Sequence, residues 1–196
     1  SGNLLDENED FPPIYYALVR PKIISNLIGN WSHNELANII QLLITIAPKQ
    51  LELIKDTDEE ENCCALVKAL ACELPENIIK LLIEHTPQET LIKSGAINMA
   101  LTSRFSNEIV ELLLKLTPNK VLEEKCVLVN ALEQHYHKDI IELLIDKNPN
   151  SIKKTDLGVP PLFAAIYSKA DISTVEMLFA KDPDAALKLA GASMLG

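Results

Sequence analysis

The chain is short of glycine, with 6 among 196 residues, and it contains neither a GxxxxGK[ST] nor a GxGxxG run. A glycine-rich phosphate loop is therefore not expected. Aromatics make up 5% of the residues and there is one tryptophan. No stretch approaches the ~18 uncharged apolar residues of a membrane-spanning helix, so membrane insertion is not expected. Basic residues are scarce: 18 Lys+Arg face 28 Asp+Glu, for a net charge of −10. That balance argues against a nucleic-acid partner, which needs a basic stripe. Cysteines number four (Cys63, Cys64, Cys72 and Cys126), too few for a disulfide scaffold of this size. A reduced, intracellular, cytoplasmic chain is the expectation. No basic-then-apolar signal peptide is present, and Ser1-Gly2 without a Met reads as a tag remnant.

What the sequence does have is apolar content, 47% of residues, which is ample for a core. It also has internal repetition. Apolar clusters followed by proline recur at Gln41–Ile44 with Pro48, Lys80–Ile83 with Pro87 and Glu111–Leu114 with Pro118. They recur again at Glu142–Ile145 with Pro149 and at Glu176–Phe179 with Pro183. The prolines are spaced 39, 31, 31 and 34 residues apart. Ala69, Ala100, Ala131 and Ala165 each lie 18 residues before a proline, and Leu66, Ile97, Leu128 and Leu162 lie three before those alanines. Two patterns in constant phase mark a repeat array.

Each unit reads as two short helices. The first carries Leu-x-x-Ala-Leu, where a small alanine admits a neighbouring helix. The second carries Ile-Ile-x-Leu-Leu-Ile, with apolar positions around most of its circumference, as in a helix sandwiched between neighbours. Proline ends it by removing the next helix hydrogen bond. Glu76, Glu108 and Asp139 stand at second-helix starts, where the helix dipole favours them. Such pairs bury their apolar faces only by stacking. The expectation is an all-α repeat solenoid of five units at about 11–48, 63–87, 94–118, 125–149 and 159–183. A partial sixth unit follows at 184–196, and an acidic tail at 1–10 precedes the single domain 11–196.

Asp156-Leu157-Gly158-Val159-Pro160-Pro161-Leu162-Phe163-Ala164-Ala165 resembles the D-x-x-G-x-T-P-L-H-x-A run of the ankyrin family. Asn107–Leu114 is similar to that family's second helix, E-I-V-x-L-L-L. The resemblance implies helix–turn–helix units behind β-turn fingers, stacked into a curved solenoid that binds other proteins. The chain departs from the family in two ways. The glycine that ends the family's second helix is replaced by Thr86, Thr117, Asn148 and Asp182; Asn and Asp tolerate the left-handed conformation, Thr poorly. The intervals from proline to the next first-helix Leu or Ile are 18, 10, 10 and 13 residues. Ten allows only a tight turn, whereas 18 makes an expanded finger. In the first unit Pro12–Ala17 matches Pro160–Ala165, and the surplus near Arg20–Asn34 reads as an N-terminal cap. At the other end, apolar Ala185–Leu195 without a polar cap implies a chain cut from a longer protein.

The expected function is a non-catalytic protein-interaction module, most plausibly monomeric, with no cofactor and no metal. The expanded finger supplies Asp56, Asp58, Glu59, Glu60 and Glu61 to a basic partner; the calcium loop D-x-D-x-D-G is absent, and a solvated loop is the plain alternative. The ankyrin-like register places Lys68, Met99, Ser103, Asn130, Gln134 and Tyr167 on the ligand-facing side of the first helices. Trp31 is a further candidate anchor, because Trp and Tyr are favoured at interfaces; core packing is its alternative. Cys63, Cys64 and Cys72 lack zinc spacing and read as structural thiols. His135-Tyr136-His137 with Cys126 is the one sparse candidate for metal or Cys–His chemistry, and nothing closes a site. Abundant Ile, Lys and Asn and the diverged repeats resemble ankyrin-like effectors of intracellular bacteria, which act inside a host cell. The runner-up function is the targeting part of a larger enzyme.

Overall fold

The computed structural model describes residues 14, 17–18, 32–52, 54–55, 62–124, 127–153 and 160–187. The chain divides into two compact units, Ser1–Ser94 and Gly95–Gly196. Regular structure among the described residues is helical, apart from one two-stranded antiparallel pair.

In the first unit, α1 spans His33–Ile46 and buries Leu36, Ile40 and Ile44. Ser32 starts it with a capping box: its hydroxyl accepts from the Glu35 amide, and the Glu35 carboxylate accepts from the Ser32 amide at 2.7 Å. Those bonds hold the Glu35 carboxyl below its ordinary pKa. A 3-10 turn follows at Pro48–Leu51. Strands β1 (Ile54–Lys55) and β2 (Asn62–Cys63) pair with Ile54 opposite Cys63. Helices α2 (Ala65–Ala71), α3 (Glu76–His85) and α4 (Gln88–Ser94) complete the unit. Ile14 and Leu18 are also helical and fully buried.

In the second unit the same elements recur in phase: α5 (Ala96–Thr102), α6 (Asn107–Leu116), α7 (Asn119–Glu124), α8 (Val127–Glu133) and α9 (Lys138–Lys147). A 3-10 turn at Pro149–Lys153 precedes α10 (Pro161–Tyr167) and α11 (Ile172–Lys181). First helices are always seven residues long, and second helices after α1 always ten. α8 packs between α5 and α10, and α9 between α6 and α11. Ala100, Ala131 and Ala165 of α5, α8 and α10 have no exposed surface, and neither has Ala69 in the first unit. The buried stripe of each second helix is narrower than the sequence implies. Ile78, Ile79, Leu82 and Ile83 are buried and Leu81 is half-buried; Leu112 and Leu143 repeat that position.

The link between first and second helices is a Schellman motif in all four units. Glu73, Arg104, His135 and Lys169 adopt the left-handed conformation, with φ of 52°, 55°, 60° and 59°. The next amide donates back to the repeat alanine: Leu74 to Ala69, Phe105 to Ala100, Tyr136 to Ala131 and Ala170 to Ala165, at 2.9–3.1 Å.

The second helices do not end in the left-handed residue that the family's glycine supplies. Thr86 and Thr117 have φ of −72° and −84°, an extended geometry that threonine accepts. Their buried hydroxyls donate to the Leu82 and Leu113 carbonyls at 2.6 and 2.7 Å, beside the threonine amides that donate to the same carbonyls. Nor are the ten-residue intervals tight turns. They hold α4 and α7, because the proline that stops one helix begins the next, where its missing N–H costs nothing.

A left-handed lysine costs about 1–2 kcal/mol in sterics, and glycine returns about 0.5–1 of it as unfolded-chain entropy. Lys169→Gly is therefore expected to raise stability in urea unfolding by about 0.5–1 kcal/mol, and Lys169→Val to lower it. Ala131→Leu, at the packed contact of α8, is expected to cost about 1–3 kcal/mol by overpacking.

Candidate functional site

Of the residues the register predicts as ligand-facing, Lys68, Met99, Asn130 and Tyr167 lie on first helices and Ser103 and Gln134 in the turns that follow them. In the first unit Lys68 is half-buried on α2, and Cys72 follows that helix. In the second unit Met99, Ser103, Asn130 and Gln134 are half-buried. Thr102, Glu133 and Tyr167 close their helices as exposed residues, with Tyr167 82% accessible. Phe163, one turn earlier on α10, stacks on Tyr167 with centroids 6.4 Å apart and an interplanar angle of 21°. Both rings are exposed, Phe163 at 37% and Tyr167 at 82%. Trp31, Asp56, Asp58, Glu59, Glu60 and Glu61 lie outside the described residues. The described strands Ile54–Lys55 and Asn62–Cys63 pair antiparallel.

A network behind the first helices holds this surface in place. The Arg104 Nε donates to Gln134 Oε1 at 3.1 Å, joining the links of successive repeats. The Tyr136 hydroxyl reaches the Ala100 carbonyl at 3.1 Å and the Phe105 carbonyl at 2.9 Å, the two ends of the preceding Schellman turn. Partial burial pushes its phenol up to about 12, against the opposing influence of the Arg104 charge. The Lys147 Nζ donates to the Leu114 carbonyl near the end of the previous second helix, and burial lowers its pKa. Lys181 and Asp146 pair across the next step at 3.6 Å.

The candidate chemical groups are occupied with structure. His135 is the left-handed residue of its link, and His137 caps α9. The His137 Nδ1 lies 3.1 Å from the Asp139 carboxylate and 3.4 Å from its amide, so it donates to the first or accepts from the second according to its protonation. Cys126 lies outside the described residues, as does the side chain of Cys63. Among the described residues no three His, Cys, Asp or Glu side chains gather as a metal site. Cys64 is buried at the start of α2, where desolvation raises its pKa despite hydrogen bonds that include Ser94. A concavity of about 320 Å³ in the first unit is lined by Glu52, Pro87, Glu89, Thr90 and Lys93. Its Lys93 and Glu89 pair at 2.7 Å. No helix among the described residues is long and apolar enough to cross a membrane.

Sequence reasoning missed the Tyr136 clamp and the left-handed links. The available signal was phase: each link residue lies four after a repeat alanine, at 69→73, 100→104, 131→135 and 165→169. Residue type gave no help, because Glu, Arg, His and Lys share only polarity.

Tyr136→Phe is expected to cost about 1 kcal/mol, the usual net worth of one hydrogen bond. The folded state favours the protonated phenol, so this contribution is intact below pH ~10 and fades as pH rises toward 12. Phenolate absorbance should show a late-titrating component that Tyr136→Phe removes. With Cys63 and Cys126 replaced by Ser, a thiol reagent should label Cys72 promptly and Cys64 only after denaturation.

Comparison with known proteins returned no match: no family model, no curated protein and no solved structure is similar to the chain.

Proposed function

We propose that the chain is a non-catalytic protein-interaction module, an ankyrin-like stack of helix pairs that offers its first-helix surface and acidic finger to a polypeptide. The observation that carries this reading is the recurrence of one exposed register position, Thr102, Glu133 and Tyr167, on helices that pack on one another through their opposite sides. A surface fixed by repetition binds without ordering cost, which is the advantage of a preorganised partner site. Its mixed, mostly uncharged lining of Met99, Ser103, Asn130 and Gln134 suits a peptide or protein. The acidic residues 56–61 add salt-sensitive attraction for a basic ligand. A recruiting role beside an enzyme is the second reading, favoured by the apolar side chains Ile166 and Phe179 that the last helix pair exposes.

The test is affinity capture from cell lysate at low and moderate salt, with the parent beside two variants. One carries Asp58, Glu59, Glu60 and Glu61 all changed to Ser, and the other is Tyr167→Ala. A basic protein held by the parent should be weakened at least tenfold by Tyr167→Ala, and in a salt-dependent way by the finger variant. Retention of no protein, or equal retention by all three forms, would sink the reading.

A further inference from the structure

The stacking faces of the second unit are used in sequence, and the last is left open. Leu101 of α5 and Leu132 of α8 are 0% and 1% exposed beneath the next first helix, whereas Ile166, their equivalent on α10, is 52% exposed. Leu114 of α6 and Ile145 of α9 are 1% and 3% exposed, whereas Phe179 on α11 is 50% exposed. Phe163 likewise stands exposed where Val129 is buried, and Leu187 stands exposed where Leu91 and Leu122 are buried. A terminal repeat that serves as a cap carries a polar outer face. This one carries the same apolar positions as its predecessors.

We propose that the outer face of α10 and α11 is a stacking site for one further helix pair of the chain's own repeat type. Such a pair carries an aliphatic-x-x-Ala-aliphatic first helix. Continuity carries the argument: the face prolongs the interfaces that α5, α8 and α10 and α6, α9 and α11 already make. The sequence agrees. Pro183, Leu187, Gly191 and Ala192 repeat the spacing of Pro87, Leu91, Gly95 and Ala96, where Gly95 is the left-handed residue (φ 68°) that opens α5.

The experiment extends the array. In the full chain, the residues after Pro183 are replaced by a copy of 119–148, which follows Pro118 in the same phase. The graft should add helical circular-dichroism signal and raise the folding equilibrium constant at least tenfold. Ile166→Lys should cancel that gain in the graft while leaving the ungrafted chain's stability unchanged. A graft that adds no helix, or a gain that survives Ile166→Lys, would overturn the proposal. So would concentration-dependent self-association of the ungrafted chain that Ile166→Lys abolishes, because the occupant would then be a second copy.

Discussion

A seven-residue helix does not persist alone in water, since nucleation costs more than one turn of hydrogen bonds returns. Everything else in this protein depends on that constraint. The first helices are seven residues long, and each is held by apolar contact with its neighbours, at alanines small enough to let the backbones approach. Packing supplies the stability that propensity withholds. The positions that pack are therefore monotonous, and the positions that face water are free to differ.

The turns convert that contact into a fixed geometry. At each first-helix end an amide returns to the carbonyl of the repeat alanine, so the residue that allows close packing also anchors the turn. The chain accepts a left-handed Glu, Arg, His or Lys to make that bond. Tyr136 and Arg104 then tie one turn to the next, from the polar side of the helices. At two second-helix ends the arrangement differs: a buried threonine donates both its amide and its hydroxyl to the carbonyl four residues back, and proline opens the following helix. The helical content of the short intervals follows from that proline, which serves as a stop for one element and a start for another.

The surface that remains is uneven in chemistry. Half-buried Met99, Ser103, Asn130 and Gln134 lie beside the exposed Thr102, Glu133 and Tyr167, while the candidate chemical groups His137 and Cys64 are spent on a helix cap and on packing. The last helix pair leaves Phe163, Ile166, Tyr167 and Phe179 facing water.

The helix pairs, their phase and their buried positions were legible in the sequence, because a period of 31 residues repeats the same apolar spacing and packing rewards nothing else. Lys68, Met99, Ser103, Asn130, Gln134 and Tyr167 could be placed for the same reason, since one register locates them all. The turns were not legible. Whether a polar residue adopts a left-handed conformation, and whether a ten-residue interval coils into a helix, depends on hydrogen bonds whose acceptors only packing brings near. The same holds for Tyr136, whose partners lie 31 and 36 residues away, and for Ile166, which is 52% exposed at the position where Leu132 is buried. The sequence by itself determined which faces are apolar. Tertiary structure alone decided which of those faces were covered, because coverage is a property of neighbours and not of the residue.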